Sequence, residues 1–140
     1  MIVGCLPLWK GRILLARRNI EPRFGLWNLP SGFLENGETV EDGALRELHE
    51  ETHASGRIIR PHAVYNLPHA NQVYLHFLVE LDSDHFELTP ESSEIALFAP
   101  EDIPFDEMAF SSSTFSIQKH LEYPDGPTSG VHIGSYTKTF

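Results

Sequence analysis

The sequence predicts an α/β fold in which a mixed β-sheet lies between two helices. Short runs rich in β-branched, aromatic and aliphatic residues recur along the chain, separated by turn residues. Two segments, residues 39–52 and 111–122, have apolar residues at helical spacing. No internal repeat or linker divides the 140 residues, so we expect a single domain over residues 1–140.

Six segments have the composition of strands. They are residues 2–9, 12–18, 27–30, 57–67, 72–81 and 95–98. Lys10 and Gly11, between the first two segments, suit a tight hairpin. We expect residues 82–94 to form an acidic loop. The tail from Tyr123 is rich in Gly, Pro, Ser and Thr, and we expect a loop or a docked extension there.

The first helix is expected to begin near Thr39, a favourable N-cap that Glu41 and Asp42 follow in the first turn. It should end near Thr52. Gly43 lies inside it, where glycine is about 1 kcal/mol less favourable than alanine. Close backbone packing and a tolerated weakness are equally acceptable explanations of that glycine.

One side of this helix is apolar and is bordered by carboxylates. On a wheel of about 100° per residue, the apolar side is formed by Val40, Ala44 and Leu48. Glu47 and Glu51 lie at its edge, and Glu50 lies just beyond. A merely solvated acidic face, which is the alternative, would more naturally lie opposite the apolar side. Carboxylates at the border of a core indicate the floor of a cleft.

Glu47, Glu50 and Glu51 crowd into one and a half turns, where they repel one another unless a cation lies between them. Such oxygen-rich clusters suit hard divalent cations, above all Mg²⁺. Divalent ions held there can neutralise a diphosphate, orient a water and lower its pKa. The residue types therefore support metal-assisted phosphoryl chemistry, in which positioning and charge stabilisation provide most of the rate.

Residues 32–54, GFLENGETVEDGALRELHEETHA, resemble the signature of the Nudix hydrolase family, G-x5-E-x7-R-E-U-x-E-E-x-G-U, in which U is bulky and aliphatic. The matching residues are Gly32, Glu38, Arg46, Glu47, Leu48, Glu50 and Glu51. Two positions depart, because His53 replaces the last glycine and Ala54 is small. Histidine tolerates the left-handed conformation expected there, and Gly56 is an alternative residue for the turn. We expect a modest loss of stability and intact metal binding.

The resemblance implies a Nudix-type α/β/α sandwich that hydrolyses a nucleoside diphosphate linked to another group. It implies Mg²⁺, with Mn²⁺ as a substitute, and four sources of metal ligands. These are the side chains of Glu47, Glu50 and Glu51 and the backbone carbonyl of Gly32. Glu38 and Arg46 match the pair that braces the loop against the helix in this family, with direct catalysis as the alternative.

The sequence offers two sources for the general base. In some Nudix enzymes a glutamate of the signature serves, and Glu50 and Glu51 are the candidates here. In others an acidic residue comes from a later loop, which Glu91 and Glu94 match by position. Glu94 is our first candidate in that loop, as base or additional metal ligand. A solvated carboxylate is the alternative for both loop residues.

A narrower resemblance concerns the substrate. The segments GLWNLPSGFLENGET and YNLPHANQVYLHF are similar to a bacterial and plastid Nudix group associated with ADP-ribose, FAD and related dinucleotides. Pro68 is placed like a marker of ADP-ribose-type members, although it also suits a strand-end turn. Members of this group often carry an N-terminal four-cysteine zinc ribbon, which we do not expect here because Cys5 is the one cysteine.

Recognition of a base and ribose needs aromatic and hydrogen-bonding groups at the mouth of a cleft. The candidates are Trp27, Tyr65, His69 and Tyr74, each with a core or strand role as the alternative. Three arginines flank the loop before the signature, namely Arg17, Arg18 and Arg23. One of them is expected to meet a phosphate, since arginine suits that geometry. We choose Arg23.

Composition limits the kinds of partner. The formal net charge of −10 argues against a nucleic-acid backbone as the main partner, because such binding needs lysine and arginine. No apolar run approaches the roughly 18 residues of a membrane span, and the N-terminus lacks the features of a signal peptide. We therefore expect a cytoplasmic protein that binds a small nucleotide. Dimerisation is common among the relatives it resembles, which predicts a homodimer.

The leading hypothesis is a Mg²⁺-dependent pyrophosphatase that cleaves ADP-ribose, FAD, NADH or a similar nucleotide and releases AMP. One alternative is an enzyme of the same fold that removes modified nucleoside triphosphates. The other is a catalytically silent module that binds a nucleotide metabolite. His53 and the short chain favour this silent module, and the intact set of glutamates opposes it.

Overall fold

The computed structural model describes residues 1–126 and 130–136. Its strands are β1 (Ile2–Trp9), β2 (Arg12–Arg18), β3 (Trp27–Asn28), β4 (Ser31–Phe33), β5 (Gly56–Leu67), β6 (Gln72–Leu81), β7 (Ser92–Phe98) and β8 (His132–Ser135). Its α-helices are α1 (Val40–Thr52) and α2 (Ser111–Glu122). Short 3₁₀ turns cover Pro68–Ala70, Pro100–Asp102 and Phe105–Glu107. Neither α1 nor α2 is long and apolar enough to cross a membrane.

The strands form one mixed sheet with β1 near its centre. Its order is β3-β2-β1-β6-β5-β8, with β4 paired to β1 and β7 paired to β2 beside this path. β1 runs parallel to β6 and antiparallel to both β2 and β4. β8 runs parallel to β5 at the end of the described sheet. The segment that precedes α1 is therefore fixed to the central strand.

Neighbouring side chains of β1 point to opposite helices. Cys5 is buried in a cluster with Ala44 and Leu48 of α1. Leu6 is buried in a second cluster with Ile117 of α2. This follows from the period of two along a strand. The predicted arrangement, a mixed sheet between two helices, is confirmed.

The predicted bounds of β1, β2, β6 and α2 agree with the structure, and β5 begins one residue earlier than predicted. The strand expected over residues 27–30 is instead two short strands, β3 and β4, which pair with β2 and β1. Two further segments differ. The loop expected up to residue 94 ends earlier, because Ser92 and Glu94 pair with Arg18 and Arg17 of β2. Glu94 is therefore a strand residue. The tail contains β8, docked against β5, within its described part. Residues 127–129 and 137–140 lie outside the described residues.

Helix α1 begins and ends where the sequence predicts. The Thr39 hydroxyl accepts a hydrogen bond of 3.1 Å from the Asp42 amide, as an N-cap does. His53 adopts φ 60° and its amide donates to the His49 carbonyl at 2.8 Å, which closes the helix. The suggestion that Gly56 takes the turn is wrong, because Gly56 is extended and pairs in β5. His53 itself occupies the left-handed position.

Gly43 lies on a side of α1 that packs closely against neighbouring side chains. A Cβ at this position would lie 2.8 Å from Leu34 Cδ1 and 3.0 Å from Val3 Cγ2. Those separations are too short for ordinary carbon contacts. Close packing, the first of the two explanations, accounts for the glycine.

Candidate active site

Arg46 joins the loop ahead of α1 to the helix itself. Its guanidinium donates to both oxygens of the Glu38 carboxylate, 2.9 Å from Nε to Oε2 and 2.7 Å from Nη2 to Oε1. Nη2 also donates to the Phe33 carbonyl at 3.1 Å. Nη1 donates to Glu47 Oε1 at 2.8 Å and to Glu50 Oε2 at 3.2 Å. One cation therefore orders the loop and two of the three candidate metal ligands.

The electrostatics of Glu38 match this bracing geometry. Hydrogen bonds from Arg46, and then from the Glu35 amide, lower the pKa of the Glu38 carboxyl to about 2. The carboxyl is consequently ionised at every pH near neutrality. It can hold the guanidinium in one orientation without changing its charge.

Glu51 is the most buried of the candidate ligands, with 9% of its surface exposed. Burial raises the pKa of its carboxyl well above the usual range, and the neighbouring charge of Glu47 adds to the rise. Burial also raises the pKa of Glu47, against the opposing effect of Arg46. Two carboxyl groups side by side and partly removed from water favour a shared proton or a shared cation.

Two features of this pair fit a bound divalent cation. The Oε2 atom of Glu51 is buried and has no hydrogen-bond partner within residues 1–126 and 130–136. Such an oxygen is unfavourable unless a ligand meets it. Gly32 lies so close to Glu47 that a Cβ there would overlap its carboxylate. The backbone of Gly32 is thereby brought to an all-oxygen donor set, which suits Mg²⁺ or Mn²⁺.

The carboxylates are not already gathered as a cage. In the described part of the chain, no group of three His, Cys, Asp or Glu side chains has an arrangement ready for a metal ion. Arg46 Nη1 instead bridges Glu47 and Glu50. A cation would therefore compete with Arg46 for these two side chains, whereas Glu51 Oε2 has no hydrogen bond in the described structure that a cation would have to replace.

Glu91 and Glu94 have different surroundings. Glu94 lies opposite Arg17 in the sheet, and its Oε1 accepts a long hydrogen bond of 3.5 Å from Arg17 Nη1 on an exposed surface. Glu91 lies in the turn before β7. Its charge is among those that raise the pKa of Glu51. Of the two, Glu91 is within electrostatic reach of the candidate metal ligands.

A cavity of about 240 Å³ opens beside the first turn of α2. Its wall includes Arg23, His69, Tyr74, Phe110, Ser112 and Tyr136. Three of these, Arg23, His69 and Tyr74, are candidates from the sequence. Phe110, Ser112 and Tyr136 are not, because their proximity depends on how α2 and β8 dock. Phe110 and Ser112 could have been found from their position at the start of the predicted second helix.

The three arginines near the signature have separate partners. Arg17 Nε donates to the Gly25 carbonyl at 2.8 Å, and Arg18 Nε donates to the Pro22 carbonyl at 2.8 Å. Both side chains thus hold the loop between β2 and β3. Arg23, at φ 63° within that loop, lines the cavity. Arg23 therefore lines the cavity directly, whereas Arg18 approaches it only through the ring of Phe110, whose centroid is 5.1 Å from the guanidinium carbon.

Trp27 and Tyr65 occupy core positions. Trp27 is 5% exposed, and its ring meets the edge of Phe98 with centroids 4.9 Å apart. Tyr65 is 6% exposed and lies 5.2 Å from the ring of Phe115. Neither side chain belongs to the wall of the 240 Å³ cavity in the described structure. A core role, the alternative given for each, matches this placement.

Ile2 connects the cavity to the carboxylates. In the sheet it pairs with Phe33 of β4 on one side and with Tyr74 of β6 on the other. Phe33 follows Gly32, and Tyr74 lines the cavity. Two strand spacings, about 10 Å, therefore separate the cavity wall from the loop that meets the carboxylates.

Comparison with known proteins identifies relatives. The NUDIX domain family model matches residues 1–117. The chain is 27% identical over 119 residues to the ADP-ribose pyrophosphatase of Methanocaldococcus jannaschii, covering 82% of this chain and 69% of that protein. It is 36% identical over 87 residues to the NAD-capped RNA hydrolase NudC of Vibrio parahaemolyticus, covering 62% and 32%. Against Nudix hydrolase 6 of Arabidopsis thaliana it is 33% identical over 95 residues, covering 61% and 32%. The chain thus spans about a third of the length of the last two relatives.

Solved structures agree with the family match. A NUDIX hydrolase from Nitrosomonas europaea superimposes with a TM-score of 0.92 at 39% identity, covering 98% of this chain and 78% of that one. A bifunctional NMN adenylyltransferase/ADP ribose pyrophosphatase from Francisella tularensis, complexed with AMP and a Mn ion, shares the fold with a TM-score of 0.73 at 24% identity, covering 86% and 40%. The chain belongs to the Nudix family of hydrolases, whose members generally act on nucleotides with the help of divalent metal ions.

Proposed function

We propose that this Nudix hydrolase is a Mg²⁺-dependent pyrophosphatase that cleaves the diphosphate of an ADP-ribose-type nucleotide and releases AMP. The observation that carries the proposal is the buried Glu47–Glu51 pair, with Glu51 Oε2 unpartnered in the described structure. Strand β4, whose Gly32 lies against Glu47, is two strand spacings from Tyr74 in the wall of the cavity. The similarity to an ADP-ribose pyrophosphatase supports the choice of substrate class.

Four groups would hold the metal in this mechanism. They are the side chains of Glu47, Glu50 and Glu51 and the carbonyl of Gly32. When bound there, Mg²⁺ would neutralise the diphosphate and lower the pKa of a water. Glu38 keeps the Arg46 guanidinium beside these carboxylates through two hydrogen bonds. The pair acts by positioning and needs no proton transfer of its own.

We propose Glu91, rather than Glu94, as the loop carboxylate that takes the proton of the attacking water. Its charge reaches Glu51, whereas the Glu94 carboxylate pairs with Arg17. A general base must lie within reach of the proton that it removes. Glu50 and Glu51 remain the alternative bases within the signature.

The cavity suits one end of the substrate. Its volume, about 240 Å³, is below the roughly 300–1,000 Å³ of pockets that enclose a whole drug-sized ligand. A cavity of this volume suits a nucleoside better than a complete dinucleotide. Arg23 supplies a positive charge at its wall, where a phosphate attached to the nucleoside can be bound. The diphosphate then extends from the cavity towards the carboxylates.

The test is a substrate panel of ADP-ribose, FAD, NADH and a nucleoside triphosphate, assayed with Mg²⁺ and with Mn²⁺ and resolved by chromatography. AMP from a dinucleotide supports the proposal. Pyrophosphate from the triphosphate as the main product favours the alternative triphosphate activity. No turnover of any substrate favours a binding module.

The site is tested with Glu50→Gln and Glu51→Gln. Each variant should lower kcat about 100-fold or more, because a metal centre provides several kcal/mol of transition-state stabilisation. Glu41→Gln, an exposed glutamate in the first turn of the same helix, is the matched control and should keep full activity. Full activity in both site variants would show that the metal site is elsewhere.

A further inference from the structure

We infer that strand β8 completes the nucleoside end of the site, and that Tyr136 and His69 form an aromatic wall on which the nucleobase stacks. This inference rests on the proposed function, because it assigns the base of the same nucleotide. The family model matches residues 1–117, so the wall depends on a part of the chain that follows the matched domain.

Tyr136 is fixed at the end of β8. Its amide donates to the Asn66 carbonyl of β5 at 2.9 Å. Its ring centroid lies 5.4 Å from that of His69, with the ring planes inclined at 56°. Both side chains line the 240 Å³ cavity. With 39% of its surface exposed, Tyr136 retains ring surface that a planar base can cover.

Gly134 allows β8 to lie against α2. It pairs with Tyr65 in the parallel ladder between β5 and β8. A Cβ on Gly134 would lie 2.5–2.9 Å from three ring carbons of Phe115, a residue of α2. Any larger residue would push the strand away from the helix. The absence of a side chain at Gly134 therefore sets where Tyr136 is delivered.

His132 anchors the start of the same strand. It is 9% exposed, and its ring lies 5.3 Å from the ring of His62 and 5.3 Å from that of Tyr123. Ile133, the next residue, is 75% exposed. β8 is thus held by a buried side chain at one end and a backbone hydrogen bond at the other. Such a support can keep an aromatic ring in place for binding.

The chemistry of the wall indicates what it recognises. Stacking on an aromatic ring is available to every base, because every base has a π-face. The phosphate and the sugar have no such face. The wall should therefore bind a base, which in the proposed function is the adenine of the AMP portion, while Arg23 and the carboxylate region bind the phosphates. Loss of the wall should weaken binding without changing the chemical step.

Titration calorimetry with AMP, on the full chain, tests the inference. Tyr136→Ala should weaken AMP binding about tenfold or more, and Tyr136→Phe should bind within about twofold of wild type. Gly134→Ala should weaken binding in the same direction by displacing β8. Ile133→Ala is the matched control on the same strand and should bind AMP normally, because its side chain points to solvent.

Steady-state kinetics separates this inference from the proposed function. With an active wild type, Tyr136→Ala should raise KM at unchanged kcat. If Tyr136→Ala leaves both KM and the affinity for AMP unchanged, the aromatic wall is wrong, and the proposed pyrophosphatase activity is not affected by that result. If AMP binding depends on Tyr136 but the wild type hydrolyses none of the substrates, the aromatic wall is supported and the proposed pyrophosphatase activity is overturned. A wild type that binds no AMP would overturn the wall.

Discussion

Arg46 and Glu38 form a fork-to-fork ion pair, with hydrogen bonds of 2.9 and 2.7 Å that use both carboxylate oxygens. The pair lies between the loop that carries Gly32 and the helix that carries Glu47. The planar guanidinium cannot rotate freely while both bonds persist. Its remaining nitrogen, Nη1, is thereby directed at Glu47 and Glu50.

Glu38→Gln should lower kcat/KM about 10- to 100-fold, because partners of metal ligands usually contribute that much. The fall should be accompanied by weaker metal binding, measured by titration calorimetry. Glu35→Gln is the control, since the Glu35 carboxylate lies 3.5 Å from Arg46 and is largely exposed. Equal activity in wild type and Glu38→Gln would argue against the bracing role.

Glu51→Gln should raise the free energy of unfolding in metal-free buffer, because it removes a buried acid next to Glu47. The same variant should lose the stabilisation that Mg²⁺ gives the wild type, which is about 2.7 kcal/mol at a hundred times Kd. Thermal melts with Mg²⁺ and with a chelator measure both effects. Glu50→Gln, at an exposed position, should leave the metal-free melting temperature unchanged.

Gly43→Ala should destabilise the protein although alanine is the better helix former by about 1 kcal/mol. The added methyl group would meet Leu34 and Val3 at 2.8 and 3.0 Å, and overpacking of this kind costs about 1–3 kcal/mol. Urea unfolding measures the change. Glu41→Ala, on the exposed side of α1, is the comparison and should have little effect. A more stable Gly43→Ala variant would contradict the close packing.

His53→Gly should stabilise the protein by about 1 kcal/mol, because His53 holds φ 60° at the end of α1 and glycine adopts that conformation without strain. Activity should be unchanged. Denaturant unfolding and the standard assay provide the two measurements. A decrease in stability would mean that the contact between the His53 and His49 rings, 5.5 Å apart, contributes more than the backbone strain removes.

Acid should destabilise the fold through two buried histidines. Burial lowers the pKa of His76 to about 3 and that of His62 to about 4. The unfolded chain takes up these protons near pH 6.5, so the unfolded state binds more protons as the pH falls below that value. The contribution of these two histidines to stability is therefore greatest above pH 6.5 and declines towards pH 4.

Between pH 7.5 and 5.5 each of these two histidines should account for about 1.4 kcal/mol of that decline. Urea titrations across this range measure it. His76→Gln should flatten the pH dependence, whereas His85→Gln, at an exposed site, should leave the slope unchanged. An unchanged slope in His76→Gln would contradict the assignment.

Patterns within single segments of the sequence were sufficient to predict much of the fold. Thr39 and the apolar side of α1 predicted the helix because capping and helical periodicity are read within one segment. The predicted start of β7 was wrong because Ser92 and Glu94 are polar. Their strand conformation comes from pairing with β2. β8 has the composition of a loop and becomes a strand through its parallel pairing with β5.

The candidate site was likewise predictable from the sequence only in part. The signature glutamates are close in sequence, so their proximity in α1 followed from helix geometry. Arg23 could be distinguished from Arg17 and Arg18 only by the hydrogen bonds that occupy the other two. Tyr136 is far from His69 in sequence, and only the docking of β8 brings them together.

Gly32 and Tyr74 stand on opposite sides of the first strand, through Phe33 and Ile2. In the proposed function, the carboxylates that would hold the metal and the cavity that would bind the nucleoside thus come from different stretches of the chain. A substitution at the cavity wall should then change the choice of nucleotide and leave the carboxylates in place.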